Sequence, residues 1–223
     1  MPKKVPREYL SASDRLSEIM FGLIMAMTVI GAAKAALISG TDELNARVVI
    51  SAALGCNIAW GLADAFMYVF SELFDRGKLS RLIAKVKTTQ DEEAAIAMID
   101  QELDADILET LSAEERKSIC TSIFKNMVGI EPKKAHLIKD DITGAFVCFL
   151  LTFFSAFITV IPFFLPLQSL GFKILLSRVI SMIMLFCIGY QYAKHTGRNK
   201  IMTAVVMVIL GFIINIVIFF LGG

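Results

Sequence analysis

Residues 201–221 read IMTAVVMVILGFIINIVIFFL, an almost wholly apolar run without a charged side chain. The hydrocarbon core of a bilayer is about 30 Å thick, so a helix that crosses it needs roughly 20 apolar residues. This run is long enough and apolar enough to predict a membrane-spanning helix. An open strand is excluded here, because unpaired backbone groups are too costly to expose to lipid.

Four more stretches satisfy the same criteria. The chain of 223 residues is 56% hydrophobic and its mean hydropathy is +0.68, which is more apolar surface than one soluble core of this size can bury. We predict an all-α integral membrane protein with five transmembrane helices and a small cytoplasmic helical segment between helices two and three. The predicted spans are 16–37, 48–70, 142–165, 174–192 and 201–221.

Lysine and arginine are unevenly distributed over the connecting segments, which predicts an orientation. They are frequent in residues 1–15, in residues 71–141 and in KHTGRNK at 194–200, whereas SGTDELNA at 39–46 and PLQSLG at 166–171 contain none. Because basic loops stay in the cytoplasm, we expect a cytoplasmic N-terminus and an external C-terminus. The expected organisation is an N-terminal arm (1–15), spans one and two (16–70), a cytoplasmic acidic helical segment (71–141) and spans three to five (142–221).

The segment between spans two and three has the pattern of amphipathic helices. Ile96, Ile99 and Leu103 share one face at helical spacing. Ser112 and Glu115 have the spacing of a capping box, in which each side chain bonds the other residue's backbone N–H. These patterns predict a small helical bundle next to the membrane.

The same segment is rich in carboxylates. Glu102, Asp106 and Glu109 recur at i, i+4 and i+7, which predicts a stripe on one helix face. Oxygen-rich clusters suit divalent cations such as Mn²⁺ and Fe²⁺, but the solvated face of a helix has the same composition. The candidate metal ligands in this segment are Glu92, Glu93, Glu102, Asp106, Glu109, Glu114 and Glu115.

One carboxylate, Asp64, lies well inside a predicted span. A charge at bilayer depth costs roughly 2.5–3.5 kcal/mol on insertion scales, so it normally faces a cavity, a partner or a transport path. The alternative is that Asp64 is neutral or ion-paired and only holds helices together. The predicted transport path is Asp14, Glu18, Asn57, Asp64, Met67 and Tyr68, with Asp64 as a metal ligand.

Other function classes lack their sequence signatures. The chain contains no His-Glu-x-x-His motif, no Gly-x-Ser-x-Gly motif and no phosphate-binding glycine loop, so we do not expect an enzyme. The four cysteines show no metal-binding or redox spacing. We therefore expect no catalytic residues, no tightly bound cofactor and no nucleic-acid partner.

Four stretches together resemble the vacuolar iron transporter family: SEIMFGLIMAMTVIGAA (17–33), AWGLADAFMYVF (59–70), FITVIPFFL (157–165) and KHTGRNKIMTAVVMVILGFIINIVIFFLGG (194–223). The resemblance implies a homodimer that exports Fe²⁺ or Mn²⁺ from the cytoplasm in exchange for protons, with acids of spans one and two along the path. The chain departs from the family pattern at Met67, which stands where the family has the glutamate of a Gly-Glu-Tyr motif. Asp14 is one position away from the aspartate expected in span one.

Two further expectations concern assembly and partners. Small residues at Gly22, Ala26, Ala32 and Ala36 are expected to allow close helix approach at the dimer interface. The alternative function is a non-transporting membrane interaction or assembly protein, whose acidic cytoplasmic helices bind a partner.

Overall fold

The computed structural model describes residues 9–38, 45–103, 110–167 and 169–220, and this part of the chain is helical with no strand. Five helices are long and apolar enough to cross a membrane, which confirms the predicted class of all-α membrane protein. The helices are α1 (Ala12–Ile38), α2 (Ala46–Thr88), α3 (Glu92–Glu102), α4 (Ala113–Val128), α5 (Lys139–Phe164), α6 (Leu170–Thr196) and α7 (Lys200–Phe220).

The chain divides into two compact units. Residues 1–68 and 139–223 form one, here named the membrane unit, and residues 69–138 form the other, here named the insert unit. Helix α2 belongs to both units and continues to Thr88, well past the predicted end of the second span at residue 70. The continuation is reasonable because leucine, lysine and arginine, which are frequent in residues 71–88, are all good helix formers.

Small residues let the helices of the membrane unit approach closely. A Cβ atom at Gly22 of α1 would collide with the Ser155 hydroxyl and the Thr152 carbonyl of α5, so the two backbones are nearly in contact there. Ala26, one turn further along α1, is fully buried in the same unit. The expectation that Gly22 and Ala26 lie at a dimer interface is therefore wrong, because packing within the chain already covers them.

The insert unit has its own small core. Val86 from the end of α2, Ala95 and Ile99 from α3 and Cys120 from α4 are buried together. The predicted apolar face of α3 is confirmed, since Ile96 and Leu103 pack against this core beside Ile99. The predicted capping box at the start of α4 is also confirmed, with both reciprocal hydrogen bonds present.

The contact at Gly22 predicts a measurable difference between two glycines of the spans. Gly22→Ala forces α1 away from the α5 backbone, and overpacking of this kind costs about 1–3 kcal/mol. Gly55 of α2 is the matched control, because nothing lies within 4 Å of the Cβ position there and alanine is the better helix former. Thermal unfolding in detergent should show a lower melting temperature for Gly22→Ala only. Equal stability of the two variants would contradict the contact.

Candidate cation site in the membrane unit

Two carboxyl groups from different helices converge on one hydroxyl of α5. The Oγ1 atom of Thr152 lies 3.1 Å from Oε2 of Glu18 in α1 and 3.3 Å from Oδ2 of Asp64 in α2. The same Oγ1 lies 3.3 Å from the backbone carbonyl oxygen of Cys148. A threonine hydroxyl has one proton, so it donates to only one of these three acceptors at a time. The cluster therefore has more acceptors than donors.

The two carboxyl groups also contact each other. Glu18 and Asp64 are hydrogen-bonded through their side chains, and the Cys148 side chain bonds Glu18 as well. A hydrogen bond between two carboxyl groups needs a proton on one of them, because carboxylates only accept. Thr152 is fully buried and Cys148 is 2% exposed. Two negative charges in such surroundings repel each other unless a proton or a cation lies between them.

Two glycines, each about one helical turn from one of the acids, allow α1 and α2 to approach α5 closely. Gly22, one turn after Glu18, allows the close contact of α1 with α5 described above. Gly61, one turn before Asp64, faces Phe149 of α5, with the ring 3.0 Å from the position of an added Cβ atom. Both acids are thus positioned by a backbone contact one turn away. Their convergence follows from helix packing rather than from a loop.

A polar face of α5 completes the site, and the sequence analysis missed it. Asp141, Cys148, Thr152, Ser155 and Thr159 are all buried. They recur at i, i+7, i+11, i+14 and i+18, which is one face of a helix. This periodicity was visible in the sequence, but the candidate path was restricted to spans one and two.

Asn57 supplies a further polar group two turns before Asp64 on α2. Its side chain is fully buried, and Nδ2 donates to the Ala53 carbonyl oxygen at 3.0 Å. Its Oδ1 atom has no hydrogen-bond partner among the described residues. A buried acceptor without a donor is costly in an apolar interior, so Asn57 remains a candidate for the path.

The other predicted path residues have different surroundings. Asp14 accepts from the Ser11 backbone N–H at 3.1 Å, and Ser11 Oγ accepts from the Asp14 N–H at 3.1 Å, which is a capping box at the start of α1. The Tyr68 hydroxyl donates to the Tyr9 carbonyl oxygen at 2.8 Å. Met67 is 65% exposed. The structure therefore brings Glu18 and Asp64 together at Thr152, and it gives Asp14 and Tyr68 hydrogen bonds elsewhere, to Ser11 and Tyr9.

A sequence model of the VIT family matches residues 16–223, nearly the whole chain. The chain belongs to the VIT family. No curated protein matches it. The resemblance to the vacuolar iron transporters is thereby confirmed. Membership indicates membrane transport of metal ions, and members of the VIT family are transporters rather than enzymes.

The predicted carboxylate stripe of this VIT-family protein is interrupted at Glu102. Helix α3 ends there, and Leu103 is extended, so helical spacing does not continue through it. Glu102 pairs with Lys78 of α2, with Oε2 2.5 Å from Nζ. Asp106 and Glu109 lie outside the described residues.

The remaining predicted ligands of the VIT-family insert unit lie in the first turns of α3 and α4. Glu93 lies 3.5 Å from Lys117 Nζ, and Glu115 closes the capping box. Glu92 and Glu114 occupy first-turn positions, where acids favour the helix N-terminus. In the ranges that the structure describes, no group of three or more His, Cys, Asp and Glu side chains is arranged to hold a metal ion.

Two carboxylates of the insert unit have environments that favour the charged form. The bond from the Arg116 guanidinium lowers the pKa of Asp100 below its ordinary value. The bond from the Ser112 backbone N–H lowers the pKa of Glu115. A depressed pKa contributes stability above the pKa of the unfolded chain, and that stability is lost as pH falls through the folded value.

We therefore expect the insert unit to lose stability below about pH 4, near the ordinary carboxyl pKa. Asp100→Asn should reduce the loss of stability at low pH, because it removes one of the two carboxyl groups with a lowered pKa. Glu131→Gln, a change at an exposed position, should leave the profile unaltered. The measurement is helix content by circular dichroism as a function of pH. If helix content falls with pH in Asp100→Asn as it does in the wild type, the Arg116–Asp100 bond does not contribute to the acid dependence.

Proposed function

We propose that this VIT-family protein exports Fe²⁺ or Mn²⁺ from the cytoplasm in exchange for protons, and that Glu18, Asp64 and Thr152 form its central cation position. The observation that carries the proposal is the convergence of two carboxyl groups on one buried hydroxyl between membrane spans. Ionisable groups at membrane depth mark ion and proton pathways more often than they serve packing alone.

The donor set fits a divalent cation of moderate hardness. Two carboxylates balance the charge of one divalent ion, and the Thr152 hydroxyl and Cys148 carbonyl add neutral oxygen ligands close by. Carboxylate, carbonyl and water oxygens suit Mn²⁺ and related ions. Since few side chains of this chain converge there, water or a second copy would supply the other ligands. The family resemblance supports a homodimer, in which the exposed Met67 of α2 is one available thioether.

Protons and metal compete for the same oxygen atoms. Without metal, protonation of the two acids would remove the repulsion between Glu18 and Asp64, whose oxygen atoms meet at the same Thr152 hydroxyl. A divalent cation needs both carboxylates deprotonated, so its binding releases protons. The two acids then bind either the metal ion or protons but not both, which is the condition for exchanging one for the other. The uneven loop charges support an orientation with the N-terminus in the cytoplasm and the C-terminus outside.

The transport proposal predicts a loss of flux when one titratable group is removed. Asp64→Asn keeps the size of the side chain but cannot balance the cation or release a proton. Uptake of Mn²⁺ into proteoliposomes should fall to background and lose its pH dependence, while the protein remains folded. Asp75→Asn is the matched control, because Asp75 is an exposed aspartate on the same helix α2. Wild-type flux from a folded Asp64→Asn protein would reduce Asp64 to a structural residue.

We also infer that the acidic residues of the insert unit bind divalent cations weakly. Their density supports this, although Glu93, Glu102 and Glu115 already have partners within the unit. A ligand that binds only the folded state raises the melting temperature, so Mn²⁺ should stabilise the protein.

The double change Glu102→Gln with Asp106→Asn should reduce that rise, measured in the Asp64→Asn background so that the membrane site does not contribute. If Mn²⁺ raises the melting temperature of this variant as much as before, these acids are only the solvated face of a helix and do not bind the metal. The absence of any metal effect on stability or flux in the wild type would favour the interaction-protein alternative.

A further inference from the structure

Arg178 is a positive charge in the lining of an otherwise largely apolar groove between α6 and α7. The groove has a volume of about 540 Å³, and its apolar walls include Val179, Met182, Phe186, Val208 and Phe212. Asn215 of α7 is the other strongly polar residue of the lining. Arg178 lies on a different helix from Glu18 and Asp64 and has no part in the proposed transport site.

The guanidinium of Arg178 has no counter-ion among the residues that the structure describes. Its Nε atom is enclosed and makes no hydrogen bond. Among the described residues, none forms a hydrogen bond or ion pair with any nitrogen of this side chain. An arginine keeps its charge in proteins, and a charge in a membrane span normally pairs with another group. The partner of this charge is therefore expected to be an anion from outside the described residues.

The position of Arg178 along α6 indicates which kind of anion can reach its guanidinium. Helix α6 begins at Leu170 and has 27 residues, which is about 40 Å at 1.5 Å per residue. It exceeds the hydrocarbon core of about 30 Å by about 5 Å at each end. Arg178 is eight residues from the first end, about 12 Å along the axis. Its long side chain can extend from there towards the headgroup layer.

The groove has one polar end and one apolar end. Asn215 lies five residues before α7 ends at Phe220, and α7 runs back along α6, as the contact of Gly189 with Ala204 shows. Asn215 and Arg178 therefore lie towards the same membrane surface. Met182, Phe186 and Val208 extend the groove towards the bilayer centre. This polarity matches a lipid with an anionic headgroup and an acyl chain.

We propose that the α6–α7 groove binds one anionic phospholipid, whose phosphate pairs with the Arg178 guanidinium and whose acyl chain lies along Met182, Phe186 and Val208. The bilayer surrounds the groove with phospholipid, and a guanidinium pairs with phosphate through strong charge-assisted hydrogen bonds. A zwitterionic lipid carries the same phosphate with a compensating charge, so it binds less well. The site is independent of the transported ion.

The test compares phosphatidylglycerol with phosphatidylcholine of the same acyl chains, added to the purified full chain in neutral detergent. Native mass spectrometry should show preferential retention of phosphatidylglycerol by the wild type. Arg178→Gln should weaken that retention by about tenfold or more, as expected for loss of a charge-assisted hydrogen bond. Arg178→Lys should retain part of the preference because it keeps the charge. Arg47→Gln, at an exposed arginine at the start of α2, should retain all of it.

Three results would overturn the lipid assignment. The first is equal retention of the two lipids by the wild type, and the second is an unchanged lipid preference in Arg178→Gln. The third is a change from dimer to monomer in lipid-free Arg178→Gln, measured by light scattering, which would assign the guanidinium to a carboxylate of a second copy. Thermal melting of each variant without lipid tests whether it is folded. If Arg178→Gln does not fold, the lipid preference of Arg178→Lys is compared with that of the wild type instead.

Discussion

The close contact of α1 with α5 at Gly22 is the constraint on which the candidate site depends. In a membrane no hydrophobic effect drives helices together, so backbone proximity and interhelical hydrogen bonds determine which helices associate. The absence of a side chain at Gly22 brings α1 against the Thr152 carbonyl and the Ser155 hydroxyl. Glu18, one turn away, then reaches Thr152. A larger residue at 22 would push against the Thr152 backbone and so separate Glu18 from the Thr152 hydroxyl.

The chemistry of the site follows from having two acids and one neutral hydroxyl. Two carboxylates match a divalent charge, whereas a third would leave a net negative charge in poorly hydrated surroundings. Thr152 contributes an oxygen that needs no charge balance, and its single proton leaves other acceptors available. A site with two carboxylates is neutral both with one divalent cation and with one proton on each acid. Similar energies in the two states are what repeated exchange requires, since a cation bound too tightly would not leave.

The fold could be predicted because each span is set by its own composition. The apolar run at 201–221 and its four counterparts needed no knowledge of their neighbours. Glu18 and Asp64 were also predictable, since a charge in an apolar helix is conspicuous. Thr152 was not, because a threonine gains importance only when α1 and α2 are known to face it. The partners of Asp14 and Tyr68, Ser11 and Tyr9, could not be predicted, because they depend on the local turn and on the tertiary course of the chain.

Two ionisable residues of the spans, Asp64 and Arg178, have opposite surroundings. Asp64 lies between helices, where a hydroxyl and a second acid surround it. Arg178 lies in a groove on the outside of α6 and α7 and has no protein partner among the described residues. The interior charge must be balanced by something small enough to pass between helices, a proton or a metal ion. The groove charge can be balanced by a large amphipathic anion, because one side of it is open to the bilayer. On the two proposals made above, the place of an ionisable residue in the bundle, more than the sign of its charge, determines whether it binds cargo or lipid.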